Sequence, residues 1–99
     1  MKTRIIIAIL AVSGIFAAQG TQAAEQRGLI MANTCHSCHG TDGHSVGAMP
    51  SIAGKSPDYI TDALMRFRDG KKPSTVMARI AKGFTDAEIK ALATYFAKQ

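Results

Sequence analysis

Cys35-His36-Ser37-Cys38-His39 is the feature that most restricts what this chain can become, because these two cysteines are the only ones it has. The spacing places two thiols three residues apart and an imidazole directly after them. Two thiols so placed can add to the two vinyl groups of one porphyrin, with the histidine beneath the iron, which is the c-type haem attachment pattern. A zinc site would need two further ligands, and His44 is the only histidine outside the motif. A thioredoxin-like dithiol would need a βαβ context that the chain lacks. A disulfide across so short a loop would stabilise little through chain entropy. The pattern therefore calls for one covalently bound haem c, held by Cys35 and Cys38 with His39 as an axial ligand, and for a fold built around it.

The length of the chain points the same way. Lys2 and Arg4 precede an apolar run from Ile5 to Ala18, and small residues follow up to Ala24. This is the layout of a secretory signal peptide, expected over residues 1–23, with a single domain over 24–99 and a periplasmic location after export. The apolar run is shorter than the roughly 20 residues a bilayer span needs, so no membrane anchoring is expected after cleavage. A domain of about 75 residues buries too little apolar surface to be comfortably stable without a staple, and a haem would supply one. The chain carries 12 Lys and Arg against 7 Asp and Glu, a net charge of +5. Without Lys2 and Arg4 the balance falls to +3, too weak to argue for nucleic acid, and no basic run with interleaved aromatics suggests that partner.

Helical signals dominate the remainder. A short segment from Glu25 to Thr34 leads into the cysteine motif, and Gly28 within it suggests that something packs closely there. Ser56 and Pro57 form a helix start, followed by an apolar stripe of Tyr59, Ile60, Ala63, Leu64 and Phe67, with Met65 outside it, and Asp69-Gly70 forms the stop. Ser74 or Thr75 can cap a short helix through Val76, Met77 and Ile80, with Gly83 beyond its end. Thr85 and Glu88 form a capping box ahead of Ile89, Leu92, Ala93 and Phe96. Gly40 to Gly54 is a loop, and no useful stretch alternates at period two. The fold class is all-α.

A second axial ligand must come from elsewhere. His36 points away from the iron if His39 points toward it, and is expected at the surface; His44 is expected as a solvated loop residue. Thioether sulfur is the usual partner in electron-transferring cytochromes. Met31 on the entry helix is expected in the core and Met65 at the surface, which leaves Met49 and Met77. A chain leaving His39 must wrap the haem edge to return on the opposite face, which takes a loop and at least one helix. Met77 follows both, whereas Met49 follows only the loop.

From Gly28 to Gln99 the chain resembles the class I bacterial cytochromes c, through Cys35 to Gly40, Thr41-Asp42-Gly43, Met49 to Gly54, and Thr85 to Phe96. The resemblance implies a small fold of three main helices and a short one packed around one haem. It implies that Gly28 meets Tyr95 or Phe96 where the first and last helices cross. It also implies that the Pro50 carbonyl accepts a hydrogen bond from the far nitrogen of His39, bracing the ring and holding Met49 on the His39 side. Met77 is then the expected distal ligand. Phe67 to Gly70 and Val76 to Phe84 look like the cytochrome subunit of flavocytochrome c sulfide dehydrogenase, whose separate flavoprotein oxidises sulfide. Some members of that family carry two haem domains, and one attachment motif matches the single-haem form or a free-standing relative.

The expected role is one-electron transfer, with no catalysis by the chain itself. The partner is expected to be a redox protein, a flavoprotein subunit on this resemblance; the alternative is a diffusible carrier between respiratory complexes. Arg66, Arg68, Lys71 and Lys72 cluster around Asp69-Gly70 and form a candidate docking patch.

Overall fold

In a computed structural model, the backbone is described over residues 2–99 and the side chains over residues 20–99. Most of the expected leader, residues 1–23, lies outside the described side chains. Among the described residues four α-helices occur in order, α1 (Lys2–His39), α2 (Pro57–Arg68), α3 (Met77–Ala81) and α4 (Asp86–Ala97), with a single 3₁₀ turn at Thr41–Gly43. No strand occurs among the described residues, which agrees with the expected all-α class. No helix among them is long and apolar enough to cross a membrane.

Local chemistry sets the helix ends. Ser56 Oγ accepts the Tyr59 N–H at 3.1 Å with Pro57 in the first turn of α2. At the other end the Lys71 N–H donates to Arg66 O and the Gly70 N–H to Phe67 O, with Gly70 at φ 71°. That pair of bonds is a Schellman close, which requires a left-handed residue at Gly70. The short helix α3 departs from expectation: its N-cap is Val76, without a side-chain cap bond, while Ser74 Oγ, further back, accepts the Ala78 N–H at 3.0 Å. The Thr85 and Glu88 side chains each accept the other residue's N–H at 3.2 Å, which starts α4. The entry segment runs further than its sequence suggests, since α1 continues through the whole cysteine motif to His39.

The core lies where α4 crosses α1 and α2. Ile89, Leu92, Ala93 and Phe96 are buried along one stripe of α4, at the spacing of a single helix face. Leu92, Ala93 and Phe96 meet Ala32 of α1 and Ile60 of α2, with Met31, Ile52, Leu64 and Phe84 packed around them. Burial of side chains such as Leu92 and Phe96 contributes about 1.5–3 kcal/mol each. At the crossing itself, a Cβ on Gly28 would sit 2.7 Å from the Ala91 carbonyl oxygen and 3.5 Å from Tyr95 Cβ. The glycine therefore meets Tyr95, as expected, and the Ala91 backbone still more closely; Phe96 is not its partner. Lys98 Nζ, 2.6 Å from Glu25 Oε1, joins the end of α4 to the middle of α1 and holds the Glu25 carboxyl below its ordinary range.

Two side chains depart from the α2 stripe. Tyr59 is 56% exposed, and Met65 is half-buried rather than at the surface. The stripe counts only periodicity, while burial along α2 follows where α3 and α4 lie against it.

Candidate functional site

Cys35, Cys38 and His39 occupy the last turn of α1 at i, i+3 and i+4, which places all three on one helix face. Both cysteines are free thiols; Cys38 is exposed and Cys35 half-buried. Burial pushes the Cys35 thiol up, partly offset by the Thr34 hydroxyl 3.9 Å from its sulfur, so at neutral pH it stays protonated. A protonated thiol is slow to enter disulfide exchange.

The chain reverses at Gly40, whose φ of 86° is open to glycine. Asp42 follows at φ 54°, a left-handed backbone that Asp tolerates better than most residues. Gly43 O then accepts both the Ile52 N–H at 2.9 Å and the Ala53 N–H at 3.2 Å, closing the loop on itself. Gly43 is buried at φ 82°, and a Cβ there would come within 2.8 Å of the Phe96 ring and 2.9 Å of Ile52. This closure brings the Pro50 carbonyl oxygen 2.7 Å from His39 Nδ1. The arrangement fits an imidazole that donates from Nδ1 and keeps Nε2 for a metal.

Met49 is 47% exposed beside Pro50. Met77 stands apart from the motif as the first residue of α3, half-buried, on an element packed against α2. His44 is exposed. His36, expected at the surface, is not there: its side chain is 20% exposed and its ring lies 6.0 Å from Tyr95 and 5.9 Å, edge to face, from Phe96. The continuation of α1 through the motif turns this face of the helix onto α4, which the motif alone does not reveal. His36 Nε2 lies 3.9 Å from Asp42 Oδ1, the same oxygen that accepts the Tyr95 hydroxyl at 2.6 Å. Sequence reasoning placed Asp42 only within a matching tripeptide. The available signal was an Asp between a threonine and a glycine in a tight turn.

Haem is the group this donor set implies, and the residues fit it. Two unpaired thiols share a face with a histidine whose second nitrogen is already committed. Five large apolar side chains within residues 46–80, Val46, Met49, Tyr59, Val76 and Ile80, are exposed despite a tightly packed helical core. Such a distribution suits a bulky apolar group better than a bare ion. Among the described residues, no cluster of three or more His, Cys, Asp or Glu could hold a metal ion.

Residues 22–96 match the family model described as cytochrome c oxidase, cbb3-type, subunit III. The cytochrome subunit of sulfide dehydrogenase from Chlorobaculum tepidum is 54% identical over 72 residues, covering 73% of this chain and 66% of that one. The thiosulfate dehydrogenase electron acceptor of Thiomonas intermedia is 38% identical over 69 residues, covering 68% of this chain and 32% of that one. Among solved structures, cytochrome c4 of Acidithiobacillus ferrooxidans superposes with a TM-score of 0.63 at 38% identity, covering 66% of this chain and 38% of the other. The chain thus spans just under two thirds of the first relative and about a third of the others.

Proposed function

This chain belongs to the class I c-type cytochromes, electron carriers that hold haem c, and we propose that within that family it is an exported, single-haem subunit that accepts electrons from a sulfide-oxidising flavoprotein. The observation that carries the site is the 2.7 Å contact between His39 Nδ1 and the Pro50 carbonyl, one helical turn from two unpaired thiols. On this reading Cys35 and Cys38 would hold one haem through thioether bonds, and His39 Nε2 and the Met77 sulfur would supply ligands to its iron. Haem, when bound, supplies a one-electron couple.

The rest belongs to the protein. Pro50 fixes the tautomer and orientation of His39 and makes its ring a stronger donor. A thioether from Met77 favours the reduced state and raises the potential. Cys35, half-buried against the core, ties the group to the α1–α4 crossing. Sulfide oxidation to the level of sulfur releases two electrons, so each flavin turnover would require two successive one-electron passes.

The partner reading rests on the 54% identity to the sulfide dehydrogenase subunit. The single attachment motif also suits a free-standing periplasmic carrier. Purification from the native source separates the two: the subunit reading expects the haem chain to travel with a flavin-containing chain, and elution of a flavin-free haem protein at all salt concentrations overturns it. For the attachment, haem should remain on the protein through acid–acetone extraction and be lost from Cys35→Ser and Cys38→Ser; full extraction from the wild type rejects covalent attachment.

A further inference from the structure

The basic cluster around Asp69-Gly70 divides in two. Arg66 lies out in solvent, 3.8 Å from Asp62 on its own helix. Arg68 turns inward and is only 23% exposed. Its Nη1 donates to Asp86 Oδ1 at 2.6 Å and to the Phe84 carbonyl at 3.4 Å, while Nε donates to Asp69 Oδ1 at 3.4 Å. Asp69 is the C-cap of α2, Asp86 is the first residue of α4, and Phe84 packs against the core. One guanidinium therefore joins the two ends of residues 69–85, the segment that carries Met77.

Resting on the reading of Met77 as the distal iron ligand, we propose that Arg68 is the positioning residue of that ligand, a clamp that keeps the Met77 segment closed over the haem site. A five-residue helix such as α3 is too short to hold itself in place. Ile80 and the N-cap Val76 are 38% and 48% exposed, so α3 is held laterally on one side only, through the buried Ala81 and its packing against α2. The segment's ends therefore act together with that one-sided packing in setting where Met77 sits. Besides Arg68, the ties near those ends are the Lys72 ammonium, 5.0 Å above the Phe67 ring, and the packing of Phe84. Three acceptors in different directions suit a planar fork with five donors; a lysine could satisfy one of them well. The Arg68–Asp86 pair also ties the end of α2 to the start of α4, but the buried apolar contacts of Ile60 and Ala32 with Leu92, Ala93 and Phe96 do not run through this guanidinium, so its loss opens the segment locally rather than unfolding the domain.

The test uses ferric holoprotein with Arg68→Leu, Arg68→Lys and Asp86→Asn, and Met77→Ala as reference. Two quantities are read: the rate of cyanide binding, and the thermal midpoint of the thioether-to-iron charge-transfer band against the far-ultraviolet dichroism midpoint. Arg68→Leu should speed cyanide binding by about threefold to tenfold and lower the band midpoint more than the dichroism midpoint. Asp86→Asn should do so less, and Arg68→Lys should restore part of the wild-type behaviour. These two milder variants carry the test if Arg68→Leu does not fold. Loss of the band in Met77→Ala together with an unchanged cyanide rate in the Arg68 and Asp86 variants overturns the clamp alone. Retention of the band in Met77→Ala overturns the ligand reading, and the clamp with it.

Discussion

The Tyr95 hydroxyl donates a 2.6 Å hydrogen bond to Asp42 Oδ1 from a position 53 residues further along the chain. The bond joins the last helix to the turn that directly follows the attachment motif. Asp42 is also the one described residue other than glycine with a positive φ, so the bond reinforces a backbone that would otherwise be unfavourable. Tyr95 in turn packs edge to face on Phe96 at 5.0 Å and against His36.

The first prediction concerns this bond. The hydrogen bond to Asp42, then burial and the Asp42 charge, push the Tyr95 phenol up to about 12 from an ordinary value of 10.0. A raised phenol pKa means the stabilisation is complete below pH of about 10 and disappears as the pH climbs towards about 12. In a Tyr59→Phe background, ¹³C NMR of the remaining tyrosine Cζ should show ionisation near the upper value. Asp42→Asn should lower it. Tyr95→Phe should cost about 1 kcal/mol in urea unfolding, the low side for a bond to a carboxylate because Asp42 is 47% exposed. An ordinary Tyr95 titration would mean that the bond is absent in solution.

Gly28→Ala should destabilise the holoprotein by about 1–3 kcal/mol, the range for overpacking a tight contact. The atom it meets is a backbone carbonyl, which cannot swing aside as a flexible side chain would. A denaturant midpoint equal to the wild type would show that α1 and α4 separate without strain.

Met77→Ala should abolish the charge-transfer band, lower the reduction potential and open the iron to carbon monoxide or cyanide. Met49→Ala should do none of these, because Met49 precedes the proline whose carbonyl braces His39 and is about half exposed. The reverse result, with the band lost only in Met49→Ala, would refute both the ligand assignment and the path drawn for the chain around the haem.

Charge reversal at Lys71 and Lys72 should slow association with a redox partner at low ionic strength and matter little at high salt. Arg66→Glu should add a smaller effect. Reversal of Arg68 should act instead through the Met77 segment, since its charge is engaged by Asp86. Stopped-flow reduction across a salt series checks this; equal rates for wild type and variant at low salt would leave the lysines as solvated surface.

What the sequence by itself determined is local. The caps at Ser56 and Thr85, the glycine stop at Gly70 and the buried stripe of α4 each depend on groups within a few residues of one another. Their hydrogen bonds and spacing are therefore written in the order of the residues. The spacing of Cys35, Cys38 and His39 is equally local, but their placement on one helix face came only with the continuation of α1 through the motif. Tertiary structure decided the rest: His36 turned onto Tyr95 and Phe96, Arg68 turned inward to Asp86, Tyr59 left exposed, and Asp42 paired with Tyr95. A polar side chain on a helix reads the same whether it faces water or a partner far along the chain. Which of the two it meets is set by how α1 and α2 lie against α4, a packing that comes from the whole set of buried contacts and from no single segment.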